Sequence, residues 1–176
     1  MKAKKLIFNI LASVGMVLLI LPMCLAMYTS KTTNSAISKD LTNDTFGIFA
    51  DWSAFADTYK LGGKTFASAW SVITDVIAIV LLVLAVAYVV LFVAQLLKVG
   101  KKFNYEKVLK VISIAILVLT LVALVTAIIF TSANNLTLTV GRNETKYTFG
   151  FGVGLIMLLV GGVVTGVMGL LANLKK

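Results

Sequence analysis

Residues 98–110 read KVGKKFNYEKVLK, five lysines and one glutamate set between two long apolar runs. The run before it, Val76 to Leu97, has 22 residues, with Gln95 its one clearly polar side chain. The run after it, Val111 to Phe130, has 20 residues rich in Ile, Val and Leu. At about 1.5 Å per helical residue, each is long enough to cross a hydrocarbon core of roughly 30 Å. A connection this short makes the two helices antiparallel neighbours. The basic stretch is therefore a turn between membrane spans, and the side of the bilayer it faces decides the topology.

Two more apolar runs lie outward from this pair. Leu6 to Met27 follows MKAKK and resembles a secretory signal. Its 22 apolar residues exceed a usual signal core, however, and no A-x-A site follows. Met23 precedes Cys24 where a lipoprotein signal carries a small residue. The expectation is a retained first span with Pro22 near its far end, where few backbone bonds remain to be lost. The fourth run, Phe149 to Ala172, is glycine-rich.

Composition agrees with this reading. Of 176 residues 60% are hydrophobic and 13% charged, far from the balance of a soluble domain. The net charge of +9 is no nucleic-acid footprint, because the lysines cluster beside apolar runs and Arg142 is the one arginine. With no histidine and with Cys24 alone, neither an intrachain disulfide nor a Cys/His metal site can form. The usual general base is missing, and no span carries paired carboxylates. No enzyme chemistry and no cofactor are expected.

Charge also gives orientation. One side of the expected membrane holds Lys2, Lys4, Lys5, the five turn lysines, Lys175 and Lys176 against Glu106, a net +9. The other holds six cations (Lys31, Lys39, Lys60, Lys64, Arg142, Lys146) and six acids (Asp40, Asp44, Asp51, Asp57, Asp75, Glu144). Lys and Arg accumulate on the cytoplasmic side, so both termini and the turn are expected there.

The expected fold is an all-α membrane protein, a four-transmembrane-helix bundle with N and C termini cytoplasmic. It forms one membrane domain over 1–176, with spans at about 6–27, 74–97, 108–131 and 149–172 and a cytoplasmic turn at 98–107. A small outer cap, a short helix plus β-hairpins, comes from outer loops 28–73 and 132–148. In the first loop, residues 28–44 read as irregular chain. Ile48, Trp52, Phe55 and Tyr59 then recur at helical spacing and form an outer aromatic face. TYKL-GG-KTF reads as a hairpin, as do LTLTV and TKYTF around GRNE.

This outline of four spans with a long first outer loop and a short second one resembles the tetraspan families, claudins among them. The claudin loop signature is Trp…Gly-Leu-Trp…Cys…Cys. Here the loop has Gly47-Ile48-Phe49 and Trp52 but no cysteine, so no residue role carries over.

Two sets of side chains stand out within the spans. Gly150, Gly154, Gly161, Gly162, Gly166 and Gly169 form a small-residue face suited to close helix packing, inside the bundle or in a homodimer seam through Gly162 and Gly166. Asn9, Gln95 and Ser113 fall at one depth from the cytoplasmic ends, with Ser13 a turn deeper. They suit an interhelical hydrogen-bond layer, a polar vestibule, or simple contact with water. Asp75 lies five residues past Trp70 and is expected at the start of its helix, within reach of interfacial water; an ion or proton role is the alternative.

The functional expectation is a non-catalytic multi-pass protein of the plasma membrane, acting through its outer cap or helix faces as an accessory, envelope, adhesion or immunity-type factor. Its partners would be the lipid bilayer and a membrane protein or a second copy, with no nucleic acid. The alternative is a small oligomeric transporter or pore.

Overall fold

The computed structural model describes residues 3–25, 27–34, 37–44, 60–61, 64–65, 68–100, 103–140 and 143–174. The chain is mostly helical: α1 (Ala3–Ile20), α2 (Ser68–Leu96), α3 (Tyr105–Asn134) and α4 (Val153–Asn173). Each contains a stretch long and apolar enough to cross a membrane. Their apolar side chains are not all packed inside. Val83, Val90 and Leu121 are each about 60% exposed, as a lipid-facing surface requires.

Helix ends follow local chemistry. α1 stops at Ile20, and Leu21–Met23 form a 3-10 turn. Pro22 has no N–H to continue the ladder, and it biases Leu21 away from helical geometry. At the start of α3, Asn104 caps the helix by accepting the Lys107 N–H at 3.2 Å. At the end of α2, Lys98 N–H reaches the Gln95 carbonyl and Val99 N–H the Ala94 carbonyl. This is a Schellman ending, with Lys98 itself in the left-handed region at φ 55°.

The chain divides into two units. The first comprises residues 1–21, 77–123 and 157–176. Its core gathers Ala12, Tyr88, Phe92 and Leu109 from three helices. Lys5 and Glu106 form an ion pair between α1 and α3.

The second unit, 22–76 with 124–156, contains strands β1 (Tyr28–Asn34), β2 (Ile37–Asp44), β5 (Leu136–Val140) and β6 (Asn143–Phe151). They form a four-stranded antiparallel sheet in the order β2-β1-β6-β5. The β5–β6 pairing joins the two segments expected as a hairpin, with Leu136 opposite Tyr147 and Val140 opposite Asn143. β1 pairs with β6 from Tyr28 opposite Phe151 to Asn34 opposite Thr145, so both loops enter one sheet. Lys60–Leu61 (β3) and Lys64–Thr65 (β4) pair separately, as the Gly-Gly connection predicts.

Two expectations change. Within 28–44, expected as irregular chain, Tyr28–Asn34 and Ile37–Asp44 form β1 and β2. Thr and Tyr favour a pleated backbone, and β6 offers β1 an edge that the local sequence cannot reveal. The fourth apolar helix begins at Val153, because residues 149–151 end β6. The expected aromatic face of Ile48, Trp52, Phe55 and Tyr59 lies outside the described residues.

Candidate functional site

Polar side chains inside the helical regions gather at three places. The first, in the first unit, is a buried node. Tyr88 of α2 donates to Asn9 Oδ1 of α1 at 2.5 Å. Asn173 Nδ2, on α4, approaches the Tyr88 hydroxyl at 3.4 Å and donates to the Gly169 carbonyl at 2.8 Å. Asn9 Nδ2 donates to the Lys5 carbonyl at 3.0 Å. Asn9 and Tyr88 are completely buried. A polar group held away from water needs such partners, and here three helices supply them.

Of Asn9, Gln95 and Ser113, for which a hydrogen-bond layer, a vestibule and contact with water were all open, only Asn9 belongs to this node. Ser113 donates instead to the Leu109 carbonyl of its own helix at 2.8 Å, and Ser13 likewise to the Asn9 carbonyl at 2.9 Å. Gln95 lines a cleft with Lys4, Lys5, Lys98 and Glu106. Tyr88 and Asn173 complete the node. Tyr88 is hidden from a sequence reading by the apolar run around it, and Asn173 by its place in the polar tail.

Around this node the glycines set the helix spacing. A Cβ on Gly169 would lie 2.5 Å from Ser113 Oγ and 2.9 Å from the Tyr88 ring. On Gly162 it would meet Thr120 Oγ1 at 2.1 Å, and on Gly166 the Leu117 side chain at 2.5 Å. Gly161 faces the other way, with the Gly15 carbonyl at 2.9 Å, and Gly15 in turn meets Thr165. α4 is therefore clasped between α1 and α3 within one chain, and Gly15 belongs to the same small-residue packing. The other two glycines differ. Gly150 lies in β6 against Thr29, and Gly154 is buried in the first turn of α4.

The second place, in the second unit, surrounds Asp75. This carboxylate is 2% exposed, and its Oδ1 has no hydrogen-bond partner among the described residues. That departs from the expectation of contact with interfacial water. Asp75 is not in the first turn of its helix but two turns in, since α2 starts at Ser68. Beside it Thr74 donates to the Trp70 carbonyl and shares a 2.9 Å hydrogen bond with Thr126 of α3. The Tyr28 hydroxyl is also buried without a partner among the described residues. Its ring tilts against Phe130 at 4.4 Å, and Phe130 meets Phe149 edge-on at 5.6 Å. Burial pushes the Tyr28 phenol above its ordinary pKa, and the negative charge of Asp75 adds to this while Thr74 opposes it.

The third place is the cleft itself, about 700 Å³ in volume. Among the described residues no group of three or more Cys, Asp or Glu side chains is placed to hold a metal ion. No family model, curated protein or solved structure matches the chain.

Proposed function

We propose that this is a non-catalytic plasma-membrane protein with both termini cytoplasmic, whose sheet binds a partner outside the cell through strand β5. What carries the reading is the edge itself. β2 and β5 flank the four-stranded sheet, and the two edges are unlike. β2 carries Lys39, Asp40 and Asp44, the charges by which natural edges discourage pairing. β5, LTLTV, has neither charge nor proline, and Thr137 and Thr139 are exposed. An unguarded edge of this kind can accept an extended strand from another chain. The lysine excess on the opposite loops and termini supports the orientation.

A photo-crosslinker at Thr139 on intact cells tests this. A discrete protein adduct is expected, and Thr137→Lys should remove it by charging the edge. In a Cys24→Ser background, cysteines at Ser35 and Asn143 should react with an impermeant thiol reagent on intact cells. A cysteine at Lys102 should react only after permeabilisation. The absence of an adduct, or labelling of position 102 from outside, overturns the reading.

One observation favours a second reading, a small transporter or pore. Asp75 is a buried acid with an unpartnered oxygen, and an acid inside a membrane span commonly marks an ion or proton path.

A further inference from the structure

We propose that the basic cleft of the first unit binds the phosphate headgroup of an anionic phospholipid. Three cations line it, Lys4 and Lys5 from α1 and Lys98 from the turn after α2. One carboxylate, Glu106, faces them and is taken by Lys5. Lys4 and Lys98 have no ion-pair partner among the described residues. Three positive charges against one negative leave the cleft at +2.

Gln95 adds a neutral polar group. It lines the same cleft, and its Oε1 is buried with no hydrogen-bond partner among the described residues. A turned carboxamide presents two N–H donors in place of that idle acceptor, which suits phosphate oxygens. Phe8 and Leu171 line the wall as well, so the cations border an apolar surface. That combination fits a glycerol backbone and the first methylenes of an acyl chain. At about 700 Å³ the cleft is far larger than inorganic phosphate alone requires.

The backbone at Lys98 offers a convenient variant. Lys98 occupies the left-handed position of a Schellman ending, which glycine ordinarily fills. Glycine does follow, two residues later, at Gly100, also with positive φ. A lysine at 98 complements the dipole at the helix end and also brings a charge to the cleft.

That strain also separates binding from folding, because Lys98→Gly removes the charge while relieving the backbone. The full-length protein is reconstituted in nanodiscs of phosphatidylcholine with and without phosphatidylglycerol. Phosphatidylglycerol should raise the melting temperature, and phosphatidylcholine alone should not. The double variant Lys4→Gln/Lys98→Gly should melt no lower than wild type in phosphatidylcholine. It should bind phosphatidylglycerol roughly thirtyfold more weakly, as expected for two lysines lost near an anionic surface. Lys107→Gln, on the same side but outside the cleft, should keep the wild-type response. The proposal is overturned if the double variant responds fully to phosphatidylglycerol, or if Lys107→Gln loses the response equally. Full stabilisation by soluble glycerol 3-phosphate in place of phosphatidylglycerol would overturn the assignment to lipid.

Discussion

Tyr88 and Asn9, 79 positions apart, share a 2.5 Å hydrogen bond in a place from which water is excluded. The bond ties α2 to α1 within the buried node. Interhelical bonds in membranes average about 0.6 kcal/mol and reach about 1.7. Tyr88→Phe should cost an amount within that range in mixed-micelle unfolding, since it leaves Asn9 Oδ1 without its donor. Asn9→Ala should cost more, because its side chain also bonds the Lys5 carbonyl. The two together should cost less than their sum. Strict additivity would mean that the pair is not coupled.

Gly162 tests whether the small-residue face serves the chain's own packing. Its added Cβ would overlap Thr120 Oγ1, which is held by a 2.7 Å bond to the Ile116 carbonyl. Gly162→Ala should therefore destabilise by about 1–3 kcal/mol, the usual range for an overpacked core. Thr120→Ala, by clearing the space, should restore much of that loss. If Gly162→Ala leaves the melting temperature unchanged but abolishes a dimer, the face belongs to a seam between copies.

Asp75 separates the two functional readings. Asp75→Asn keeps the side-chain shape and removes a charge that is costly to bury, so the purified variant should be at least as stable as wild type. On the partner-binding reading it also keeps the Thr139 adduct. A sodium- or proton-dependent gain in wild-type stability that disappears in Asp75→Asn would instead place an ion at this carboxylate.

Tyr28 carries a pH dependence whose sign follows from its burial. The folded phenol titrates above its ordinary value of 10.0, so folding favours the neutral form. Its contribution is complete below about pH 10 and is lost as pH rises towards the folded pKa. Melting temperature should fall in alkali. Tyr28→Phe should blunt that fall. An identical alkaline profile in the variant would mean that other groups control it.

Legibility followed the range of the physical signal. Apolar runs reveal long apolar helices because a helix needs no partner to satisfy its own backbone, although α1 ends at Ile20 and α2 starts at Ser68, short of and before the ends expected for them. The β5–β6 hairpin and the β3–β4 pair were legible for the same reason, since their strands are adjacent in sequence. β1 and β2 were missed. Residues 28–44 look like polar loop until β6, more than a hundred residues later, supplies hydrogen bonds to β1. The site residues divide in the same way. The glycines of α4 announce a close approach, but Gly15 and Thr120 are recognised only as what they approach.

The sequence by itself determined the number of helices long enough to span a membrane, where they are interrupted, and where charge accumulates between them. Those properties depend on hydrophobicity and on residues near one another in the chain. Tertiary structure alone decided which polar groups meet. Asn9, Gln95 and Ser113 share a depth, which left a layer, a vestibule or contact with water open, because depth does not specify rotation about a helix axis. Packing of α1, α2 and α4 sets that rotation, turning Asn9 toward Tyr88 and Asn173 and leaving Gln95 to the basic cleft. Asp75 is buried as well, close enough to Tyr28 of β1 for its charge to act there, a neighbour that its own helix does not contain.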